Sequence, residues 1–90
     1  MVVWTEHSLT NAQEIAFWIE SKFSVKEVKN FHELLRGFER IMQYFPDMYP
    51  ESRSKPGLHQ TVLHKNLSVY YWLDKACVTV VAIKDNRREE

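Results

Sequence analysis

The side chains in this sequence that can carry charge or move protons are four histidines and a set of lysines and arginines concentrated in its second half. Residues 52–88 hold seven Lys/Arg against two acids, Asp74 and Asp85, although the whole chain is neutral. Arg53 and Lys55 precede a strand-like run, Lys65 falls at a turn, and Lys84, Arg87 and Arg88 follow the last strand-like run. Guanidinium and ammonium groups can stabilise negative charge developing on phosphorus, while a His, Lys or Glu transfers protons. The same groups scattered over a surface do no more than keep a protein soluble. Residue types alone leave both readings open.

Other chemistries find less support. His59 and His64 are five apart, which puts them on opposite faces of a regular strand, the wrong geometry for one shared metal. His7 and His32 have no cysteine or acidic partner at ligand spacing. Cys77 is the single cysteine, so no disulfide can form within the chain, and its strand-like surroundings suit a small buried residue. A Gly-rich phosphate loop, a nucleophile elbow and a dinucleotide fingerprint are all missing from a chain with two glycines. No cofactor and no metal are expected. The basic half is also modest beside the footprint of a strongly basic nucleic-acid binder.

The elements that must position these residues follow from periodicity. Val2-Val3-Trp4-Thr5 suits a short strand. Leu9, Ala12, Ala16, Ile19 and Phe23 recur at spacings of three and four, widened by Ile15 and Trp18, and predict an amphipathic helix. Ser24 and Glu27 fit a reciprocal capping box that opens a second helix. Val28, Phe31, Leu35, Phe38, Met42 and Phe45 form its stripe, and Pro46 ends it. Gly37 lies off that stripe without an evident purpose.

Residues 47–57 form a loop, after which the period changes to two. Runs at Leu58 to His64, Leu67 to Leu73 and Ala76 to Ile83, joined by turns at Lys65-Asn66 and Asp74-Lys75, predict an antiparallel meander. In the middle run Tyr71 should point with Leu67, Val69 and Leu73 into the core, and Tyr70 with Trp72 and Ser68 away from it. A stacking platform for nucleic-acid bases on Tyr70 and Trp72 is the weaker alternative to simple packing.

The order is therefore β-α-α-β-β-β. An α+β fold is predicted, with a helical hairpin packed on a small, mainly antiparallel sheet. Residues 1–90 suffice for one domain, and 44% hydrophobic against 27% charged residues is an ordinary globular balance. No apolar run approaches the roughly 18 residues of a membrane-spanning helix. "MVVWTEHS" lacks the features of a signal peptide, so a cytoplasmic location is expected.

Taken in order, the pieces "VVWT", "IAFWIESKF", "FHELLRGFERIMQYFPDM", "LHQTVLHKNLSVYYWLD" and "VTVVAIKDNR" make the chain resemble the RelE/ParE superfamily of type II toxin-antitoxin toxins over essentially its whole length. The last piece is the most telling, because many members close their final strand on a short Asp-x-Arg or x-x-Arg motif. The resemblance implies a small cytoplasmic toxin held inactive by a cognate antitoxin that wraps a helix and an extended segment around it. Promoter DNA would be bound only through the antitoxin. RelE-like members cut mRNA on the ribosome without metal, whereas ParE-like members inhibit DNA gyrase.

For the nuclease class the resemblance places Lys55 before the second strand and Arg87 after the last, with His59 or His64 available to move a proton. The chain departs from that class after Arg87, where Arg88-Glu89-Glu90 offers no Tyr or His. The expectation is accordingly a ParE-like protein-binding toxin, with Arg53, Lys65, Lys84, Arg87 and Arg88 as its target-binding residues. A RelE-like endoribonuclease and a non-toxic interaction domain are the alternatives.

Overall fold

Switching from period two to period 3.6 and back to two gives the element order of the computed structural model, which describes residues 1–53 and 55–88. Strand β1 (Val2–Trp4) leads into helices α1 (Glu6–Lys22) and α2 (Val25–Tyr44). Strands β2 (Leu58–Leu63), β3 (Leu67–Asp74) and β4 (Cys77–Asp85) follow, and a 3-10 turn spans Asn86–Arg88. The four strands form one sheet in the order β1-β4-β3-β2. β2, β3 and β4 pair antiparallel, and β1 runs parallel to β4 in the register Val2↔Val78 to Trp4↔Val80. The expected α+β architecture, mainly antiparallel, is observed.

Both helices begin on hydroxyl caps. Thr5 Oγ1 accepts the Ser8 N–H at 3.1 Å, and Ser24 Oγ accepts the Glu27 N–H at 3.2 Å. Only this half of the predicted capping box forms, because the Glu27 carboxylate turns toward Arg87 instead. α2 buries Phe31, Leu35, Phe38 and Met42 as its stripe predicts, while Phe45 falls beyond the helix and is 62% exposed. Phe38 sits edge-on to Trp4 and to Tyr71, with ring centroids 6.4 and 5.6 Å away, and so joins helix to sheet.

α1 matches expectation in part: Ile15 and Ile19 of its stripe are buried, and Ala12, Ala16 and Trp18 pack against the core. Its buried line is Ser8, Ile15 and Ile19, whereas Leu9 and Phe23 are each half exposed. The apolar surface of this helix is wide enough for two lines: one packs on β4, and the other borders an open groove toward α2. Ser8 can be buried because its Oγ donates to the Thr5 carbonyl at 2.8 Å.

In β3 Leu67, Val69 and Tyr71 are buried against the helices and Trp72 is exposed, as predicted, but Ser68, expected to be on the open side, is only 3% exposed and accepts a hydrogen bond from the Asn86 amide. The two hairpin turns each lie one residue from their predicted place. They use His64 and Lys65 at φ 51° and 70°, and Lys75 and Ala76 at φ 51° and 65°, the left-handed conformations whose twist matches flanking strands.

One irregularity in β4 determines the site. Tyr70 pairs with Ala82 but Tyr71 pairs with Val80, leaving Val81 as an extra residue. A bulge of one residue reverses which side chains face the core. Val78 and Val80 are buried before it, Ile83 and Asp85 after it, and Lys84 is thereby turned outward.

Candidate functional site

Asp85 enters the helix-covered side of the sheet because of that bulge, and its side chain is only 1% exposed. An isolated buried carboxylate would be strongly destabilising, so it requires a charged or hydrogen-bonded partner. Arg87 supplies both. Asp85 Oδ1 accepts the Arg87 backbone N–H at 2.9 Å and Nε–H at 3.1 Å, while Oδ2 accepts from Nη2 at 2.8 Å. The fork-to-fork geometry fixes the guanidinium plane as well as its position.

The same guanidinium lies 4.7 Å from the centre of the Phe23 ring and 3.9 Å from Glu27 Oε1. Phe23 itself packs edge-on to Trp18 at 5.7 Å. Arg87 therefore ties the end of β4 to the turn between α1 and α2. Its hydrogen bond to Asp85 is the main cause that holds its pKa above the ordinary arginine value; partial burial opposes this, and the charges of Asp85 and Glu27 add to it.

Asn86 continues the attachment: its N–H donates to the Asn66 carbonyl at 2.6 Å and its amide contacts Ser68 Oγ at 3.2 Å. Beside these residues opens a pocket of about 340 Å³. Arg87 and His64 line it together with Asp85, Glu27 and Glu33, over an apolar floor of Phe31, Leu34 and Leu67. Three acids against one arginine and one histidine make it a poor seat for a polyanion.

The other end of β2 is different. His59 is buried, its ring stacked on Tyr71 at 5.0 Å and 15°. A carbonyl oxygen can only accept, so the 2.9 Å contact between His59 Nδ1 and the Tyr49 carbonyl makes Nδ1 the protonated nitrogen. Arg53 and Lys55 are exposed on the preceding loop, which is braced by the Glu51 carboxylate accepting the Gly57 N–H and by Leu58 N–H donating to the Lys55 carbonyl. His59 is the second residue of β2 and His64 follows its last, roughly 16 Å apart at the usual strand rise.

Of the residues assigned from sequence, the structure brings Arg87 and His64 to one pocket and leaves Lys55 and His59 at the far end of the strand. Lys65 is exposed at the β2–β3 turn. Lys84 and Arg88 border a shallow cleft with Asn11, whose Oδ1 accepts the Ile83 N–H at 3.0 Å just beyond the end of β1. Asp85 and Glu27 are the participants that sequence reasoning missed. The Asp-x-Arg spacing that carries the family resemblance was the available signal for Asp85, but it gives the acid no role until the bulge turns it inward.

Among the described residues, no group of three or more His, Cys, Asp or Glu could hold a metal ion. No helix among them is long and apolar enough to cross a membrane. No protein-family model matches the sequence, and no curated relative matches it. The fold does have a solved counterpart: a chain of the chromosomal ParDE toxin-antitoxin system from P. aeruginosa superposes with a TM-score of 0.76. The similarity covers 93% of this chain and 92% of that one at 12% sequence identity. At this identity the likeness is one of fold.

Proposed function

We propose that this chain is the toxin of a type II toxin-antitoxin module and that it acts in the ParE-like manner, by binding a protein target such as DNA gyrase. A cognate antitoxin neutralises it, and promoter DNA is reached only through that antitoxin. The fold likeness to a ParDE system chain and the ordered resemblance in sequence support the toxin assignment. The observation that carries the choice of mechanism is the dispersal of the residues a nuclease would use. Lys55 and His59 lie at the end of β2 opposite Arg87, and His59 is held in the core by Tyr71 and Tyr49.

General acid-base catalysis requires its groups within hydrogen-bond reach of one reacting phosphate. The Arg87 guanidinium is committed to Asp85 and surrounded by carboxylates, which disfavour RNA. An arginine so fixed can still present the end of β4 to a protein surface. Induction of the chain in a bacterial host, with and without its antitoxin, is expected to stop growth and alter plasmid supercoiling while mRNA ends stay unchanged. Growth arrest with intact plasmid topology would sink the gyrase assignment.

The juxtaposition of His64 and Arg87 favours a second reading, a ribosome-dependent endoribonuclease. It requires codon-positioned mRNA cuts that disappear in Arg87→Ala. Because Arg87 also supports the fold, His64→Ala serves as the companion variant, and cuts that survive it would remove this reading.

A further inference from the structure

The pocket beside Arg87 has two unlike ends. Glu27, Asn30, Phe31 and Leu34 share one face of α2 at helical spacing, and Glu33 flanks that face on the Asn30 side. Glu27 and Glu33, six residues apart, are separated by about 9 Å along the helix axis. The Glu27 end is filled, because Arg87 lies 3.9 Å from its carboxylate. At the other end Glu33 makes no ion pair among the described residues, yet it borders the apolar floor of Phe31, Leu34 and Leu67. We propose that this end seats an arginine side chain of a protein partner, its stem lying on that floor and its guanidinium at Glu33. The proposal rests on the reading that the chain acts by binding a protein, and it names what the bound surface offers at this point.

Charge complementarity selects this occupant. Glu27, Glu33 and Asp85 against Arg87 leave the lining with two uncompensated negative charges, histidine being counted as neutral. Asp85 and Arg87 satisfy each other through three hydrogen bonds, so the excess resides on the two glutamates. An acidic segment would be repelled, and a purely apolar one would strip water from Glu33 without replacing it. A small cation would gain nothing from the floor. A long basic side chain satisfies both parts, because its methylene groups cover apolar surface while its head keeps the carboxylate. Arginine suits the place better than lysine, since its planar head is more weakly hydrated and can hold a carboxylate with two parallel bonds. The molecule already shows this arrangement once, in Arg87, which lies over the Phe23 ring with its head on carboxylates. A cavity of about 340 Å³ is at the small end of binding sites, which suits a single side chain.

An NMR titration of the isotope-labelled chain with the peptide N-acetyl-Leu-Arg-Leu-amide tests the proposal. The same peptide with citrulline in place of arginine keeps the shape and removes the charge. The amide signals of Asn30, Glu33 and Asn66 should move saturably with the arginine peptide, and the dissociation constant should be at least about 3-fold higher for the citrulline peptide. Glu33→Gln alters an exposed side chain and should weaken the arginine peptide by a similar factor, whereas Glu20→Gln, an exposed acid outside this pocket, should leave its affinity unchanged. No saturable shift up to about 10 mM peptide would overturn the proposal. Equal binding of the citrulline peptide, or an affinity indifferent to Glu33→Gln, would overturn it equally. The titration contains no gyrase and so reads the pocket alone: peptide binding by a chain that leaves supercoiling intact would refute the gyrase reading and leave the arginine seat standing.

Discussion

The two ends of strand β2 carry the same kinds of residues, a histidine with basic neighbours, and use them in different ways. At the Arg87 end, groups from β4, the helical turn and the β2–β3 turn meet: Asp85, Glu27, His64 and Asn66 line one pocket around one guanidinium. At the Lys55 end the histidine has been taken into the core, and the cations stand in the loop that precedes β2. Residue type thus says little about role. Convergence in space, and a buried partner that fixes orientation, separate a built site from a scatter of charge.

The comparison is sharpest where Asp85 is removed. Asp85→Ala strips Arg87 of three hydrogen bonds, and urea unfolding should show a loss of about 3 kcal/mol. Lys55→Ala at the opposite end should stay within about 0.5 kcal/mol of the parent. Equal effects from these two variants would erase the distinction between the ends. Next in size is His59→Ala, which removes the ring stacked on Tyr71 and the bond to the Tyr49 carbonyl; it should lower stability by about 2 kcal/mol. His64→Ala, at an exposed turn position, should change it by less than about 0.5 kcal/mol.

Tyr71, beneath His59, gives a pH-dependent test. Its hydroxyl is buried with no hydrogen-bond partner among the described residues. Desolvation, with a smaller contribution from Tyr49, pushes its pKa up to about 12. The fold therefore favours the neutral phenol. That contribution is complete below the ordinary tyrosine value near 10 and is lost as pH rises from there through about 12. Tyr71→Phe should flatten the decline of stability across this window and should equal or exceed the parent at pH 7 by up to about 1 kcal/mol. A variant as alkali-sensitive as the parent would contradict the assignment. Gly37→Ala, midway along α2 and belonging to neither end, should raise stability by about 1 kcal/mol, since a methyl group there meets nothing within 4 Å.

Much of the fold was legible because it rests on local periodicity. The β3 alternation placed Tyr71 inward and Trp72 outward, and the α2 stripe identified Phe31, Leu35, Phe38 and Met42. In α1 the stripe was legible in part: Ile15 and Ile19 are buried and Ala12, Ala16 and Trp18 pack against the core, whereas Leu9 is half exposed and the buried Ser8 was not expected, because only the neighbouring elements decide how far round the helix burial extends. The ordered motif drew attention to Arg87, which lines the candidate pocket. The role of Asp85 was not legible, because its burial depends on the extra residue at Val81, and that bulge exists only through pairing with β3. His59 looked available for the converse reason: its stacking partner, Tyr71, is distant in sequence.

The central claim, a toxin that acts by binding a protein and not by cutting RNA, is tested most directly with purified components. The chain is added in micromolar excess to DNA gyrase, relaxed plasmid and ATP, and supercoiling is followed on a gel. Progressive loss of supercoiling, or trapped cleaved DNA, is the predicted result, and it should be reversed by the cognate antitoxin. Undiminished supercoiling at every concentration of folded protein would contradict the account.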